Sequence, residues 1–426
     1  MTTPGRTDPD VLVVGAGVVG LCCAWFLRRA GLSVTVVDRG EVGDAAACSA
    51  GNTGFVGTQG SAPLAEPGVP ATGIRWLLRP ESPFAVRPRL DGALLAWLWH
   101  FRRHCTERHA RAGFETLLAL KQRSLALLRE ICAEDELAGT LTERGMILAC
   151  HTEQGYAKAR RTIPAATARG VPLRELDRAE LARLEPGVDF AVAGTLLNEE
   201  GAALRIPAFL VALARALRAR GVDIVTGAEV RDFEVTGRRV RAVRTARGEL
   251  RPAEVVIAAG VWSAACARML DVGLTLQPAK GYTVTLPAGP GTPTRPVLLS
   301  EGKVAVMPLG DRVRVGGTLE LSGLDTSISP RRVDGILHTA RRYLPALDTG
   351  RRLDVWSGLR PCTPDSLPLI GRADGYDNVS VATGHGHIGM GLAPAGGRLL
   401  AQLVSGAEPD LPLETFALDR FRKGIS

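Results

Sequence analysis

The chain has 426 residues, 46% of them hydrophobic and 23% charged, a composition typical of a globular protein long enough for two domains. Only five of its 52 basic residues are lysines, so the formal net charge of +8 reflects arginine usage rather than a basic tail. No zinc-finger spacing or aromatic RNA-binding box accompanies this charge, and we expect no nucleic-acid partner. The eight cysteines form no C-x-x-C pair, which predicts reduced thiols and no metal site.

No targeting segment precedes the first apolar run, and no uncharged apolar stretch approaches the roughly 18 residues of a membrane-spanning helix. We therefore expect a cytoplasmic protein. Residues 93–104 combine Trp97 and Trp99 with a basic end. This pattern is typical of a helix packed on a core, but it also suits a helix at the inner face of a membrane, so peripheral membrane contact stays open.

A phosphate-binding motif occupies residues 11–39. Four apolar residues predict a buried strand, Gly15-x-Gly17-x-x-Gly20 follows, residues 21–30 predict a helix closed by Gly31, and residues 33–37 predict a second strand. The glycines allow a tight turn, close approach to a pyrophosphate and close packing of helix on strand. Asp38 is placed to accept hydrogen bonds from ribose, and Ala16, Val18, Val19 and Arg39 complete the predicted site. The motif alone leaves NAD and FAD open.

The remaining elements alternate between two patterns. Helical periodicity runs from residue 94 to 132, and shorter helices are predicted at 177–184 and 207–221. Residues 281–285, 304–307 and 312–317 indicate an antiparallel sheet. The last part returns to an α/β pattern, with a strand at 379–384, a His/Gly turn and a helix from 392 to 404.

This alternation predicts an α/β protein in which a Rossmann-like dinucleotide-binding domain is interleaved with an α+β substrate domain built on an antiparallel sheet. The expected division assigns residues 1–88, 205–270 and 355–426 to the dinucleotide-binding domain. Residues 89–204 and 271–354 are assigned to the substrate domain.

Four sequence blocks resemble the FAD-dependent D-amino acid oxidase superfamily over nearly the whole chain, and within it the bacterial D-amino acid dehydrogenase and hydroxy-D-proline dehydrogenase type. They are the N-terminal motif, Ser49-Ala50-Gly51-Asn52-Thr53-Gly54, Pro278-Ala279-Lys280-Gly281-Tyr282, and a C-terminal block that contains Gly358-Leu359-Arg360-Pro361 and Thr383-Gly384-His385-Gly386-His387-Ile388-Gly389. The resemblance implies FAD as the cofactor. A second glycine turn before a helix suits a flat ring whose reduced form carries negative charge, which favours FAD over NAD.

By this resemblance, further cofactor contacts are expected from Ser49, Ala50, Asn52, Thr53, Gly54, Val230, Ala259, Gly260, Gly358, Gly384, His385, Gly386, His387, Ile388 and Gly389. Arg360 is expected to pair with the substrate carboxylate, because a planar guanidinium offers two parallel donors. Tyr282 and His387 are expected to contact substrate, although each also suits core packing. Phe55 and Met307 are expected to line the pocket.

The implied reaction is the oxidative deamination of a D-amino acid. A hydride moves from Cα to flavin N5, and water then converts the imino acid to a 2-oxo acid and ammonia.

A D-proline or cis-4-hydroxy-D-proline dehydrogenase that forms a cyclic imine is the main alternative. A glycine- or sarcosine-type oxidase is a lower alternative. Sarcosine-type oxidases usually carry a lysine where Ile388 stands, which weighs against N-methyl amino acids as main substrates. A nicotinamide-dependent dehydrogenase explains only residues 11–39, and a non-enzymatic module explains only the charge. A quinone, a carrier protein or oxygen is the expected electron acceptor.

Overall fold

The computed structural model describes residues 8–69, 84–87, 89 and 91–422. The strands in this part of the chain are β1 (Val11–Val14), β2 (Val34–Val37), β3 (Phe55–Val56), β4 (Phe84–Val86), β5 (Leu141–Glu143), β6 (Met146–Cys150), β7 (Leu173–Leu176), β8 (Gly194–Asn198), β9 (Ala202–Leu204), β10 (Asp223–Val225), β11 (Val230–Thr236), β12 (Arg239–Thr245), β13 (Gly248–Leu250), β14 (Glu254–Ile257), β15 (Gln277–Pro287), β16 (Val297–Leu299), β17 (Val304–Pro308), β18 (Arg312–Leu321), β19 (Asp354–Cys362), β20 (Leu369–Arg372) and β21 (Val379–Thr383).

The α-helices of the same residues are α1 (Val18–Arg29), α2 (Gly92–His104), α3 (Glu107–Cys132), α4 (Glu153–Arg160), α5 (Ile163–Thr167), α6 (Arg178–Leu184), α7 (Ala208–Ala219), α8 (Ser263–Arg268), α9 (Pro330–Tyr343) and α10 (Gly389–Ser405). The predicted helix at 177–184 is confirmed, with Asp177 as its capping residue. The predicted helix at 207–221 is also confirmed as α7.

A six-stranded sheet has the order β10-β2-β1-β14-β21-β20 and is parallel except for the β20–β21 pair. Every residue of β1 and β2 is buried. One face of the sheet packs on helices that include α1 and α10, and the other packs mainly on a three-stranded sheet of β11, β12 and β13. The predicted β1–α1–β2 unit is therefore confirmed. Helices α1 and α10 pack closely on one face: a Cβ built at Gly397 of α10 would lie 2.7 Å from the backbone carbon of Cys22.

The single helical run predicted for residues 94–132 is wrong, because the structure contains two helices there. Helix α2 ends at His104, and the Thr106 side chain accepts a hydrogen bond from the His109 N–H at the start of α3. The residues on both sides keep helical periodicity, so the pattern alone does not reveal the break. This cap is the local signal that marks it.

A nine-stranded, mostly antiparallel sheet has the order β19-β15-β18-β17-β16-β6-β8-β7, with β4 paired to β18. The predicted antiparallel sheet is thus confirmed, and it is larger than the sequence pattern shows. The two sheets draw their strands from alternating parts of the chain, which supports the predicted interleaving. Strand β4, inside the segment 1–88, and β19, which starts at Asp354, both pair in the nine-stranded sheet. The domain boundaries stay a proposal.

Candidate active site

A long cleft runs over the carboxyl ends of β1, β2 and β14 to the start of α10. Predicted residues that line it are Gly15, Ala16, Gly17, Val18, Val19, Asp38, Arg39, Ser49, Asn52, Val230, Ala259, Gly260, His385, Gly386 and Gly389. The structure therefore brings the N-terminal glycine turn and the C-terminal glycine turn to one cavity, although about 370 residues separate them in the chain.

The N-terminal turn is too tight for side chains at two of its glycines. Gly15 has a φ of +114°, and a Cβ there would lie 2.5 Å from the Ala258 carbonyl oxygen. A Cβ at Gly20 would lie 1.8 Å from the Gly15 carbonyl oxygen. At Gly17 the nearest protein atom to such a Cβ is the Ser49 Oγ at 3.4 Å, so this glycine leaves room toward the cleft. A bound phosphate is the group that uses such room.

Two polar contacts shape the neighbouring end of the cleft. The Asp38 carboxylate accepts hydrogen bonds from the Ala16 N–H at 2.6 Å and the Gly40 N–H at 2.9 Å, and each oxygen retains acceptor capacity for a ribose hydroxyl. The Arg39 guanidinium carbon lies 3.9 Å from the ring centroid of Trp262. This pair forms a flat wall beside Ala259 and Gly260, and Trp262 is a cleft residue that the sequence analysis missed.

The C-terminal turn places an uncharged imidazole in the cleft wall. Gly384 and Gly386 both have positive φ angles, +77° and +57°. The His385 ring between them is buried, and neither ring nitrogen has a partner in the described part of the protein. Burial lowers the pKa of His385 to about 4, so the ring is neutral at physiological pH. An unpaired buried imidazole in a cleft wall is a group that a bound ligand can satisfy.

These features fit FAD. The open side of Gly17 accepts a pyrophosphate, and the Arg39–Trp262 wall accepts an adenosine. The unpaired His385 and the N-terminus of α10 face the opposite end of the same cleft, where a flavin ring reaches. The individual roles of these residues stay predictions.

The nine-stranded sheet presents Arg360 on one face. Neighbouring residues along β19 point to opposite faces, so Trp356, Gly358 and Arg360 share one face. The guanidinium lies directly over Gly281, where a Cβ would be 2.1 Å from its central carbon, and it donates to the Thr318 carbonyl oxygen at 2.5 Å. No carboxylate of the described residues lies within ion-pair distance of it. Its electrostatic neighbours are the Cys48 and Cys362 thiols, and burial lowers the pKa of Arg360.

Gly358 and Gly51 both leave room for the Trp356 ring. A Cβ at Gly358 would lie 2.1 Å from this ring, and one at Gly51 would lie 2.0 Å from it. The predicted contact between Gly358 and the flavin stays a prediction. The indole N–H of Trp356 donates to the Ala45 carbonyl oxygen at 2.5 Å. Trp356, Gly358 and Arg360 are spaced two residues apart along β19, and this spacing is the sequence signal that places Trp356 on the same face as Arg360.

His387 is exposed at the start of α10. Desolvation by the protein around the ring, followed by the positive charges of Arg360, Lys121 and Lys303, lowers its pKa to about 3. A neutral imidazole in this environment can exchange hydrogen bonds with a ligand, but it cannot hold a proton at physiological pH.

The predicted contact between Tyr282 and substrate stays a prediction, and the structure places this side chain on the opposite face of the sheet from Arg360. Tyr282 alternates with Gly281 along β15, and its ring packs with Ile336 and Leu337 of α9. Its hydroxyl donates to Glu320 at 2.7 Å, and burial followed by this contact raises the pKa of Tyr282. Register in the sheet, which the sequence motif does not contain, decides this placement.

Of the other predicted residues, Met307 and Thr53 lie on the face of the nine-stranded sheet that carries Arg360. Met307 is fully buried and pairs across strands with Arg314, which shares the face of Arg360. Phe55 is half-buried in β3, opposite Ala203. Thr53 packs against Gly316 of the same sheet, and Ala50, Asn52 and Gly54 belong to the same segment. Gly384 and Ile388 flank the C-terminal turn.

A parallel dinucleotide-binding sheet combined with a large, mostly antiparallel sheet is the architecture of two-domain flavin-dependent oxidoreductases. The family model described as DAO, FAD dependent oxidoreductase, matches residues 10–403. The chain therefore belongs to the DAO family of FAD-dependent oxidoreductases, and its cofactor is FAD. This result confirms the family predicted from the motifs, and it removes the nicotinamide-dependent alternative.

Similar proteins are found over the full length. The chain is 34% identical over 419 residues to a D-amino acid dehydrogenase of Rhizorhabdus wittichii, covering 96% of this chain and 100% of that protein. It is 36% identical over 420 residues to a D-amino acid dehydrogenase of Methylobacterium radiotolerans, covering 96% and 99%. The solved glycine oxidase of Geobacillus kaustophilus is 25% identical with a TM-score of 0.76, and covers 97% of this chain and 99% of that one.

Proposed function

We propose that the protein oxidises D-amino acids at Cα, giving an imino acid that water converts to a 2-oxo acid and ammonia. The single observation that carries this proposal is the Arg360 guanidinium, which lies over Gly281 on the sheet face beside the cleft with no carboxylate partner among the described residues. An unpaired, largely buried guanidinium is costly unless an anion joins it. The names of the two D-amino acid dehydrogenase relatives supply the substrate class.

In this proposal Arg360 fixes the substrate carboxylate through two parallel N–H donors, and this orients the Cα–H. Bound FAD supplies the acceptor for the hydride. His387 exchanges a hydrogen bond with the substrate amine without taking its proton. The positive charges around His387 disfavour an ammonium group nearby, so the substrate is held with a neutral amine, from which a hydride leaves Cα most easily.

Anaerobic reduction of the bound flavin by a panel of amino acids tests the proposal. We expect D-amino acids, including D-proline or cis-4-hydroxy-D-proline, to bleach the flavin absorbance at least about 100-fold faster than their L-enantiomers, a difference of roughly 3 kcal/mol in the barrier. Sarcosine and glycine serve as comparisons for the oxidase alternative. Equal rates for the two enantiomers would contradict the proposal, and reduction by cyclic D-imino acids alone would favour the cyclic-imine alternative.

We further propose that helix α2 contacts an anionic membrane surface, where a quinone could accept the electrons. Leu95 and Trp99 of α2 are 61% and 57% exposed, whereas Leu94 and Trp97 are buried on its other side. Arg102 is exposed at the C-terminal end of the same helix. Apolar side chains flanked by a cation suit the boundary between lipid headgroups and acyl chains. No helix among the described residues has the length and apolar character needed to cross a bilayer.

Cosedimentation with lipid vesicles tests this contact. We expect the protein to bind vesicles containing phosphatidylglycerol and not vesicles of phosphatidylcholine alone. The double substitution Leu95→Ser and Trp99→Ser should weaken binding at least about tenfold, since burial of two such side chains contributes roughly 2 kcal/mol or more. Val235→Ser, at a residue 39% exposed on β11, is the matched control and should bind like the parent. Equal binding by all three proteins would refute the assignment to α2.

A further inference from the structure

Two cations hold the segment of residues 50–60 at its two ends. The Arg314 guanidinium donates to the Ala50 carbonyl oxygen at 3.2 Å and to the Asn52 carbonyl oxygen at 2.8 Å. The Lys121 amine donates to the Gln59 and Gly60 carbonyl oxygens at 2.7 and 2.9 Å. Each cation therefore binds two backbone carbonyls, one pair at the beginning of the segment and one pair at its end.

Neither cation forms a close ion pair within the described residues, although Asp354, which pairs with Thr285 as Arg314 does, acts on Arg314 from a longer distance. Lys121 is 2% exposed, and no carboxylate in the described part of the chain lies within ion-pair distance of it or of Arg314. The Nε of Arg314 is buried without a partner. Burial lowers the pKa of Lys121 to about 7 and also lowers the pKa of Arg314. A neutral donor would satisfy the same carbonyls with a smaller desolvation cost than a buried cation. The use of two cations with no carboxylate at ion-pair distance therefore indicates more than a structural role.

The segment between the cations contains β3, which pairs with β9, and three glycines on either side of it. Gly54, Gly57 and Gly60 all have positive φ angles, which residues other than glycine rarely adopt. Its first half follows the sheet face of Arg360, where Thr53 packs against Gly316. Its second half leads to Lys121, whose charge also acts on His387. The first half thus contains predicted flavin contacts, of which Asn52 lines the cleft, and the second half ends at a cation whose charge reaches His387, a predicted substrate contact.

We propose that Arg314 and Lys121 are positioning residues that clamp residues 50–60 as one wall of the active site, with Arg314 setting the flavin half and Lys121 the substrate half. The assignment of the two halves rests on the proposed function. The clamp itself rests on the four hydrogen bonds and on the burial of the cations. Lys121 was missed in the sequence because a lysine in an amphipathic helix is usually a solvated charge.

Single substitutions separate the two ends. In the FAD-loaded protein, Lys121→Met should increase the amide exchange rate of residues 57–61 at least about tenfold. The reason is that loss of a charge-assisted hydrogen bond shifts the local opening equilibrium by at least about tenfold. It should raise KM for the best D-amino acid by about tenfold with a smaller effect on kcat, and leave FAD affinity within about threefold of the parent. Arg314→Met should instead weaken FAD binding by about tenfold or more and increase exchange at residues 50–54.

Two further variants control for charge and folding. Lys158→Met removes an exposed lysine of α4 and should match the parent in every measurement. Lys121→Gln retains two amide donors without the positive charge. If the hydrogen bonds and not the charge hold the segment, this variant should restore slow exchange at residues 57–61. It also replaces Lys121→Met in the test if that variant does not fold. Unchanged exchange in both Lys121 variants, or identical profiles for Lys121→Met and Arg314→Met, would overturn the proposal. Because exchange and FAD affinity need no substrate, they test the clamp even if no D-amino acid reduces the flavin.

Discussion

Replacement of Arg360 by alanine is expected to lower kcat/KM for D-amino acids by roughly 30-fold to several thousand-fold, the effect of losing about 2 to 5 kcal/mol of charge-assisted pairing. The guanidinium has no carboxylate partner among the described residues and rests on Gly281, so the substrate carboxylate is the anion that completes its contacts. FAD content should stay near that of the parent, because Arg360 is assigned to substrate. Stopped-flow flavin reduction and the absorbance ratio of the purified variants measure both quantities.

Two variants show whether geometry or charge carries this effect. Arg360→Lys keeps the charge but loses the planar pair of donors, and it should remain at least about tenfold below the parent. Gly281→Ala keeps Arg360 but places a Cβ 2.1 Å from the guanidinium carbon, so it should displace the side chain and lower kcat/KM. Gly289→Ala, where a Cβ meets no atom within 4 Å, is the control. An Arg360→Ala protein within about threefold of the parent would disprove the assignment.

Gly20→Ala is expected to reduce FAD affinity by roughly fivefold to 150-fold, because overpacking of this kind costs about 1 to 3 kcal/mol. The added Cβ would lie 1.8 Å from the Gly15 carbonyl oxygen. To relieve this overlap, α1 must move away from the turn that follows β1, and its free N–H groups then no longer converge on the pyrophosphate. Titration of the apoprotein with FAD measures the effect, and circular dichroism checks that the variant is folded.

The matched control for Gly20→Ala is Gly92→Ala at the first residue of α2. A Cβ at Gly92 meets no atom within 4 Å, so this variant should bind FAD like the parent. If Gly20→Ala also retains the parent's FAD affinity while remaining folded, close packing of α1 on β1 is not what the cofactor requires. Loss of FAD in Gly20→Ala alone would support the predicted role of the first glycine turn.

The parts of the site that are formed by residues close together in the sequence were predictable. The β1–α1–β2 unit is encoded in a continuous apolar strand, three spaced glycines and a terminal acid, all within about 30 residues. The C-terminal glycine turn is equally local. Side-chain size and backbone freedom act over a few residues, so a sequence pattern contains most of the information that shapes them. The family resemblance then connected these local motifs to FAD.

The sequence by itself determined the FAD-binding family and the two kinds of sheet. The assignment of Arg360 to the substrate carboxylate follows from the family resemblance and stays a prediction. Only the tertiary structure decided that Tyr282 faces Glu320 and α9, because strand register sets the face on which a side chain lies. It also brought Lys121 against the carbonyls of Gln59 and Gly60, across 62 and 61 residues of chain. Such contacts depend on which distant elements pack together, and a lysine has the same local pattern whether its amine reaches solvent or a buried carbonyl.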